Sequence, residues 1–464
     1  MTRLVVVSNR VPSISDEDRT AGGLAVAMRA ALKKNGGVWF GWSGEVSENP
    51  SPEPNVQRRG AVTHAVIDLS EEDYEEYYSG YSNTCLWPLF HYRLDLFRYD
   101  RKHYEGYQRV NAQFARTLLP FIEEGDVVWI QDYHLIPLGQ QLRELGVTAP
   151  IGFFLHIPVP TPQVMLALPN HQDIMRALCA YDLVGVQTAP DQRALRVFLT
   201  DYCGGTSYDT ATVNAFGRTV SIGAFPIGID AEEFASMAMQ AQNAQQTRRL
   251  SDSMRGRALV IGVDRLDYSK GLIHRFESFE RLLAKWPENQ GEVSFLQIAP
   301  PSRSDVESYA EIRRELEEKA GHINGQFSDI DWVAIRYLNR AYSRRALAGF
   351  FRVSRIGLVT PLRDGMNLVA KEYVAAQNPI DPGVLVLSEF AGAAQEMDGA
   401  LIVNPYDADG VAEAMHAGIA MPMGERRERW QQMFAEVKRN NITVWRDAFL
   451  GALSRATHSA ALAR

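Results

Sequence analysis

Three cysteines among 464 residues, Cys85, Cys179 and Cys203, are too few and too scattered for a disulfide framework, and their spacing matches no metal-ligand motif. They read as small buried thiols. No apolar run approaches the roughly 20 residues that a membrane-spanning helix needs. The opening Leu4-Val5-Val6-Val7 stops at Ser8-Asn9-Arg10, too short for a secretory signal, so a cytoplasmic protein is expected. Positive charge is in deficit: 48 Lys and Arg against 56 Asp and Glu give a net charge of −8, with no basic footprint for a nucleic-acid backbone. A Gly-x-x-x-x-Gly-Lys-Ser/Thr loop is missing, which disfavours P-loop phosphoryl transfer. So are an Asp-x-Asp pair after a strand-like run, as in metal-dependent phosphatases, and any His- or Cys-rich metal cluster.

What is present is ordinary in bulk: 46% hydrophobic and 22% charged residues sit near globular averages. The length points to two or three domains, with two favoured. Short runs rich in Val, Ile and Phe alternate with helix-like stretches, the pattern of buried parallel strands joined by crossover helices. In the first half these runs are 4–7, 127–130, 151–155 and 183–186. After Ile227-Gly228-Ile229-Asp230, a polar Gln- and Ala-rich stretch through Arg257 reads as a helix plus interdomain connection. The rhythm then restarts at 258–263, 293–298, 332–337, 356–360, 384–387 and 401–403. The expected fold class is therefore α/β, with two Rossmann-like doubly wound domains facing each other across a deep cleft that holds the ligands. The expected domains are 1–235 and 236–440, with 441–464 a helix and tail packing back on the first. Residues 13–20 and 49–55 read as surface loops, 24–32 as a helix, and the chain beyond Ser454 as a fraying end.

Two stretches carry the most chemistry. Val263-Asp264-Arg265-Leu266-Asp267-Tyr268-Ser269-Lys270-Gly271 and Pro361-Leu362-Arg363-Asp364-Gly365-Met366-Asn367-Leu368-Val369-Ala370-Lys371-Glu372 each start where an apolar run stops. Both therefore belong on loops at the carboxyl edge of a parallel sheet. Arg265 can grip a phosphate with two donors and Lys270 adds a compact charge, a pair suited to a leaving diphosphate unless both are merely solvated. The turn Asp364-Gly365-Met366-Asn367 opens a helix whose first amides can hold phosphate oxygens. Glu372, a turn further in, meets a ribose if the helix faces the ligand and otherwise pairs with a neighbour. The linked acids suggest nearby sugar hydroxyls.

Other strand ends add polar groups. Arg10 follows the first run, and Gly22-Gly23 before a helix-like stretch makes either an anion cradle or a plain turn. Asp132, in Trp129-Ile130-Gln131-Asp132-Tyr133-His134, is a helix cap or a ligand. His156, in Phe154-Leu155-His156-Ile157-Pro158, is a hydrogen-bonded structural histidine or a ligand. Arg303 supplies a third cation after the run 293–298.

Taken together with Leu86-Trp87-Pro88, these motifs resemble the trehalose-6-phosphate synthase family, in order, from residue 4 to about residue 450. The resemblance implies a retaining glucosyltransferase of the GT-B type that moves glucose from UDP-glucose to glucose 6-phosphate, giving α,α-trehalose 6-phosphate and UDP, without cofactor or metal. Implied acceptor positions are Arg10, Tyr78, Trp87, Asp132 and Arg303, with Arg10 and Arg303 on the 6-phosphate. Implied donor positions are Gly22, Gly23, His156, Arg265, Lys270, Asp364, Leu368, Val369, Ala370, Lys371 and Glu372, with a main-chain contact to uracil at Tyr342. Of these, His156, Arg265, Lys270, Asp132 and Asp364 would carry the catalysis. Val159 stands where Phe is usual, and Pro301 and Ser304 vary the surroundings of Arg303; neither change removes a polar group. Without an appended phosphatase domain, the expectation is that the protein makes trehalose 6-phosphate and leaves its dephosphorylation to another protein. Two alternatives stay open: a pseudo-glycosyltransferase joining a nucleotide-linked cyclitol to an amino-cyclitol phosphate, and a silent sugar-phosphate sensor. A homo-oligomer, dimer or tetramer, is expected, and UDP, GDP and ADP are not distinguished by the diphosphate grip.

Overall fold

The Val-, Ile- and Phe-rich runs become strands because both of their faces are covered, which rewards continuous apolar sequence over alternation. The computed structural model describes residues 3–12, 25, 28, 29, 31, 32, 36–207, 209–302 and 307–462. The chain divides into one unit of Met1–Pro226 with Thr443–Arg464 and a second of Ile227–Ile442.

In the first unit nine strands form one sheet: β1 (Leu4–Arg10), β2 (Gly37–Val46), β3 (Asn55–Arg59), β4 (Val62–Leu69), β5 (Val127–Gln131), β6 (Ile151–Phe154), β7 (Leu183–Val186), β8 (Thr212–Ala215) and β9 (Arg218–Ala224). Their order is β3-β4-β2-β1-β5-β6-β7-β9-β8. All neighbours pair in parallel except the antiparallel edges β3 with β4 and β8 with β9. The chain lays strands to one side of β1 first and to the other side from β5 onward, so the order reverses between β1 and β5. Phe216 and Gly217 join β8 to β9 with φ of 52° and 72°, a two-residue turn whose twist suits a hairpin. Helix α1 (Tyr74–Leu86) is wound wider than an α-helix, and the Trp87 amide that follows donates to the Ser82 carbonyl. Helix α2 (Arg101–Leu118) buries Tyr107, Val110, Phe114 and Leu118, one stripe at helical spacing.

The second unit holds six strands, β10 (Ala258–Val263), β11 (Val293–Ile298), β12 (Ile335–Leu338), β13 (Ile356–Val359), β14 (Val384–Ser388) and β15 (Leu401–Val403), in the order β12-β11-β10-β13-β14-β15. Every pairing is parallel. Counted from β10 this is 3-2-1-4-5-6, the order of dinucleotide-binding sheets, and it reverses between β10 and β13. The strand expected from residue 332 starts only at Ile335, because Trp332 closes a turn with Asp329 and buries its ring with Nε1 on the Val293 carbonyl at 3.0 Å. The polar stretch after Ile227 forms two helices, Ala231–Ala241 and Gln245–Met254. Further along lie α3 (Leu272–Lys285), α4 (Arg344–Arg352), α5 (Leu368–Ala376), α6 (Met423–Arg439) and α7 (Ile442–Leu462). Phe276, Phe279, Phe295, Leu316 and Ile323 anchor the core of this unit.

Helix α7 packs into the first unit. Its Phe449 ring stacks on Trp129 at 4.9 Å, and Trp445 meets Phe154 edge-on at 5.1 Å. Gly152 and Gly185 make the space: a Cβ there would come within 2.9 and 2.7 Å of the Phe449 ring.

Candidate active site

In the second unit, chain leaving β10 must turn at once into α3, and the acids of the motif serve that turn. Asp264 pairs with Arg275 at 2.7 Å with both side chains buried, and Arg275 Nε also donates to Thr360 Oγ1 at 3.0 Å. Asp267 accepts from the Ser269 amide at 2.9 Å, Ser269 Oγ at 2.8 Å and Tyr309 Oη at 2.9 Å. Asp264 through Oδ2 and Asp267 through both oxygens are thus engaged within the fold. Their effect is to fix the loop that presents the two cations. Arg265 is exposed and has no ion pair among the described residues, while Lys270 is largely covered and its ammonium rests on Asp364 Oδ2. Gly271 turns the chain with φ 65°, and a Cβ there would lie 2.5 Å from the Thr360 carbonyl oxygen.

The loop after β13 stands beside it, held by Leu362 N on the Ser269 carbonyl at 2.8 Å. Asp364 Oδ2 also accepts from Asn367 Nδ2 at 3.1 Å. Asn367 adopts φ 72°, offers no side-chain cap to α5, and is buried with Oδ1 unpartnered among the described residues. The first amides of α5, from Leu368 to Ala370, thus lack a side-chain cap and carry the positive end of the helix dipole. Leu368 and Val369 are half-buried and Ala370 is buried. Lys371 departs from the expectation. Its ammonium is fully buried on Glu396 Oε2 at 2.6 Å and the Ile227 carbonyl at 2.8 Å, so only its main chain is left for the site. Glu372 is half-buried; burial pushes its carboxyl up to about 7, against the opposing pull of the Arg344 guanidinium. Tyr342 lies just before Ser343, the cap of α4, with its ring edge-on to Phe350 at 5.3 Å and its hydroxyl on Arg340.

In the first unit the reversal point gathers a second group. Arg10 ends β1 exposed, its guanidinium 5.9 Å from the Trp42 ring centre, where a side chain at Gly44 would collide with it. Trp42 touches Tyr78 at 5.5 Å, and Tyr78 stacks on His134 at 5.8 Å and 10°. Trp87, buried, lies 5.6 Å from Tyr133 and 4.1 Å from His91. Asp132 leaves β5 with φ 74° and ψ 166°, a conformation that costs a non-glycine residue about 1–3 kcal/mol and concentrates at functional sites. Its Oδ1 accepts from the His156 amide at 3.2 Å. The His156 ring lies between Gln131 Oε1, 3.0 Å from Nε2, and Gln187 Nε2, 3.3 Å from Nδ1. That pairing assigns the proton to Nε2, and burial lowers the ring pKa to about 3, so His156 is neutral at physiological pH.

Gly22, Gly23 and Arg303 lie outside the described residues. Gln131 ends β5 and Gln187 follows β7, strand-end positions of the same kind as Asp132 and His156, but a neutral amide there carries no distinguishing sequence signal. Trp42 and Arg344 carry no sequence signal, since ring packing and a cross-helix charge leave no one-dimensional signature, and the turn motif that contains Asn367 does not reveal its left-handed φ. Among the described residues, no group of three or more His, Cys, Asp or Glu gathers to hold a metal ion, and no helix is long and apolar enough to cross a membrane.

The family model of glycosyltransferase family 20 matches residues 2–455. A trehalose-6-phosphate synthase of Enterobacter sp. (strain 638) is 49% identical over 98% of this chain and 96% of the relative. The crystal structure of an alpha,alpha-trehalose-phosphate synthase (UDP-forming) from Burkholderia xenovorans in complex with glucose-6-phosphate is 51% identical, with a TM-score of 0.94 over 97% of this chain and 100% of that one. A solved structure described as trehalose-6-phosphate from E. coli bound with UDP-2-fluoro glucose is 46% identical, with a TM-score of 0.93 over 97% of this chain and 99% of that one. A family match across nearly the whole sequence, carried by a fold that superposes end to end, makes this chain a member of glycosyltransferase family 20.

Proposed function

We propose that the protein is a UDP-forming α,α-trehalose-phosphate synthase, moving glucose from UDP-glucose to glucose 6-phosphate. The observation that carries this reading is topological: in each unit charged candidates gather at the strands where the sheet order reverses, Arg10 and Asp132 at the ends of β1 and β5 in one, Arg265, Lys270 and Asp364 after β10 and β13 in the other. Open α/β sheets bind ligands at that point. Relatives with the same fold are complexed with glucose 6-phosphate in one case and UDP-2-fluoro glucose in another, which supports small-molecule sugar phosphates and nucleotide sugars as substrates.

On this reading the second unit takes the donor. Arg265 and Lys270 neutralise the departing diphosphate, the uncapped amides of α5 receive its oxygens, Glu372 accepts from ribose hydroxyls, and the main chain at Tyr342 meets the base. Asp364, oriented by Lys270 and Asn367, holds glucose hydroxyls. The first unit takes the acceptor, with Arg10 on the 6-phosphate and Tyr78, Trp87 and Asp132 around the sugar. His156, neutral, can only share hydrogen bonds with the transferred glucose. Transfer with retention follows a front-face course: the acceptor oxygen bonds to C1 on the side from which the diphosphate oxygen leaves, and the hydroxyl proton passes to that departing oxygen. A covalent glucosyl adduct trapped on Asp132, Asp364 or Glu372 would refute this course.

The test is UDP release from a panel of nucleotide sugars with glucose 6-phosphate, glucose or no acceptor. Release that requires the phosphorylated acceptor supports the proposal, and release with glucose alone, or none at all, defeats it. The same proposal includes a cytoplasmic homo-oligomer that works without metal. EDTA should leave the rate unchanged, because protein cations and helix amides supply the positive charge; a rate restored only by added Mg²⁺ counts against it.

A further inference from the structure

Glu396 has no place in the chemistry above, yet two segments of the second unit meet on its carboxylate and a third is tied to it through Lys371. Oε2 accepts from Lys371 Nζ at 2.6 Å and Oε1 accepts from Asn440 Nδ2 at 2.7 Å. The Lys371 ammonium also donates to the Ile227 carbonyl at 2.8 Å. Ile227 is the first residue of the second unit, and Asn440 stands just before Ile442, its last. The outgoing and returning crossings also touch each other. Ile442 N donates to the Ile229 carbonyl at 3.3 Å, and Gly228 lies so close to the Asn440 carbonyl that a side chain there would collide with it.

At its other end, Glu396 closes a segment stitched to the loop that opens α5. Asp364 N donates to the Phe390 carbonyl at 3.1 Å, Gly392 N to the Asp364 carbonyl at 3.2 Å and Ala393 N to the Met366 carbonyl at 2.9 Å. The pair therefore spans the whole path from the uncapped helix start to both crossings. Burial draws the Lys371 pKa down while Glu396 pulls it back up. A buried ion pair is often matched in stability by apolar side chains of similar volume, so stability alone does not account for this one. What apolar packing would not supply is a directional bond from α5 to two separate pieces of backbone and amide.

We propose that Glu396 is a positioning residue: acting through Lys371 and Asn440, it locks the first turns of α5 to the two chain crossings, so that nucleotide binding at α5 and ordering of 227–229 and 440–442 become one equilibrium. The inference rests on α5 being the diphosphate site of the proposed function. Linkage makes the coupling reciprocal, so a ligand that orders α5 must also order the crossings.

Hydrogen–deuterium exchange of the full-length protein with and without UDP tests this, beside UDP titration by calorimetry, steady-state kinetics and thermal melting. The proteins are wild type, Glu396→Gln, and the double variant Lys371→Met with Glu396→Leu. In wild type, UDP should slow exchange in peptides covering 226–231 and 436–443. The double variant should melt close to wild type, lose most of that protection, bind UDP about tenfold more weakly, and show its defect in donor KM more than in kcat. Glu396→Gln, which keeps the shape but weakens the pairing, should move exchange and affinity the same way and carries the test if the double variant does not fold. Wild-type protection and affinity retained in these variants would overturn the inference, as would UDP binding to wild type with no change at either crossing. Failure of wild type to bind UDP at all would instead strike the proposed function, and the inference with it.

Discussion

At Asp132 the peptide takes φ 74° and ψ 166°, and at Asn367 φ 72°, two of the few positions where a side chain tolerates glycine's territory. Asp132 follows β5 directly and Asn367 ends the loop after β13, both at reversal points of their sheets. Around them the charges are arranged so that one cation is held and another exposed. Replacing Lys270 or Arg265 by Ala should lower kcat/KM about 100-fold, roughly 3 kcal/mol, the scale seen when one preorganised donor is lost from a transition state. A loss of less than threefold in the UDP-release assay would remove either residue from the mechanism. Glu372 makes a pH statement. Its carboxyl titrates near 7 in the fold, against an ordinary 4.5, so the folded protein favours the protonated form. Between those pH values the unfolded chain has lost the proton and the folded chain has kept it. Stability without ligand should therefore fall as pH rises from 4.5 to 7, by on the order of 3 kcal/mol from this group, and level off above. Glu372→Gln should flatten that part of the curve and melt above wild type at pH 8 but not at pH 4; parallel melting curves would exclude it. His156, neutral throughout, should add no titration between pH 5 and 8.

At the scale of elements, the turn from β10 into α3 depends on one glycine. Gly271 needs a left-handed φ of 65°, and a methyl there would press on the Thr360 carbonyl at 2.5 Å. Gly271→Ala should cost about 1–3 kcal/mol for the backbone alone and lower the thermal midpoint by several degrees. An unchanged midpoint would mean the loop relaxes at no cost. The strands show which elements a linear pattern can reveal. Runs such as Val-Val-Trp-Ile and Val-Leu-Val-Leu stand out because a parallel strand covered on both sides has no polar alternation to hide it. Strand β2 escaped because Gly41, Ser43 and Gly44 interrupt its apolar run, β3 because all five of its residues are exposed, and β9 because Thr219 and Ser221 alternate with its apolar residues. The helix phase was equally hidden: Lys371 and Glu372 are adjacent in sequence but point about 100° apart around α5, and only packing against Glu396 says which of the two turns inward.

For the whole molecule, the terminal helix matters more than its position in the chain suggests. Helix α7 closes the first unit by placing Phe449 against Trp129, Phe154 and two bare glycines, fully buried. Phe449→Ala should destabilise that unit by about 3–5 kcal/mol, read by denaturant unfolding of the full-length protein. A loss below 1 kcal/mol would show that the helix is dispensable there. Sequence alone determined the doubled α/β rhythm, the strand ends and most of the polar candidates. Strand covering, chain reversal and phosphate chemistry each leave local marks in residue type and order, which is why Arg10, Asp132, His156, Arg265, Lys270 and Asp364 stand out as candidates in the sequence. Tertiary structure decided what those marks cannot hold: that Asp264 and Asp267 serve the fold, that the Lys371 ammonium is buried on Glu396, and that Gln131 and Gln187 set the tautomer of His156. Each of these depends on a partner in another element of the fold, and the direction of a side chain in space is fixed only when separate segments close around it.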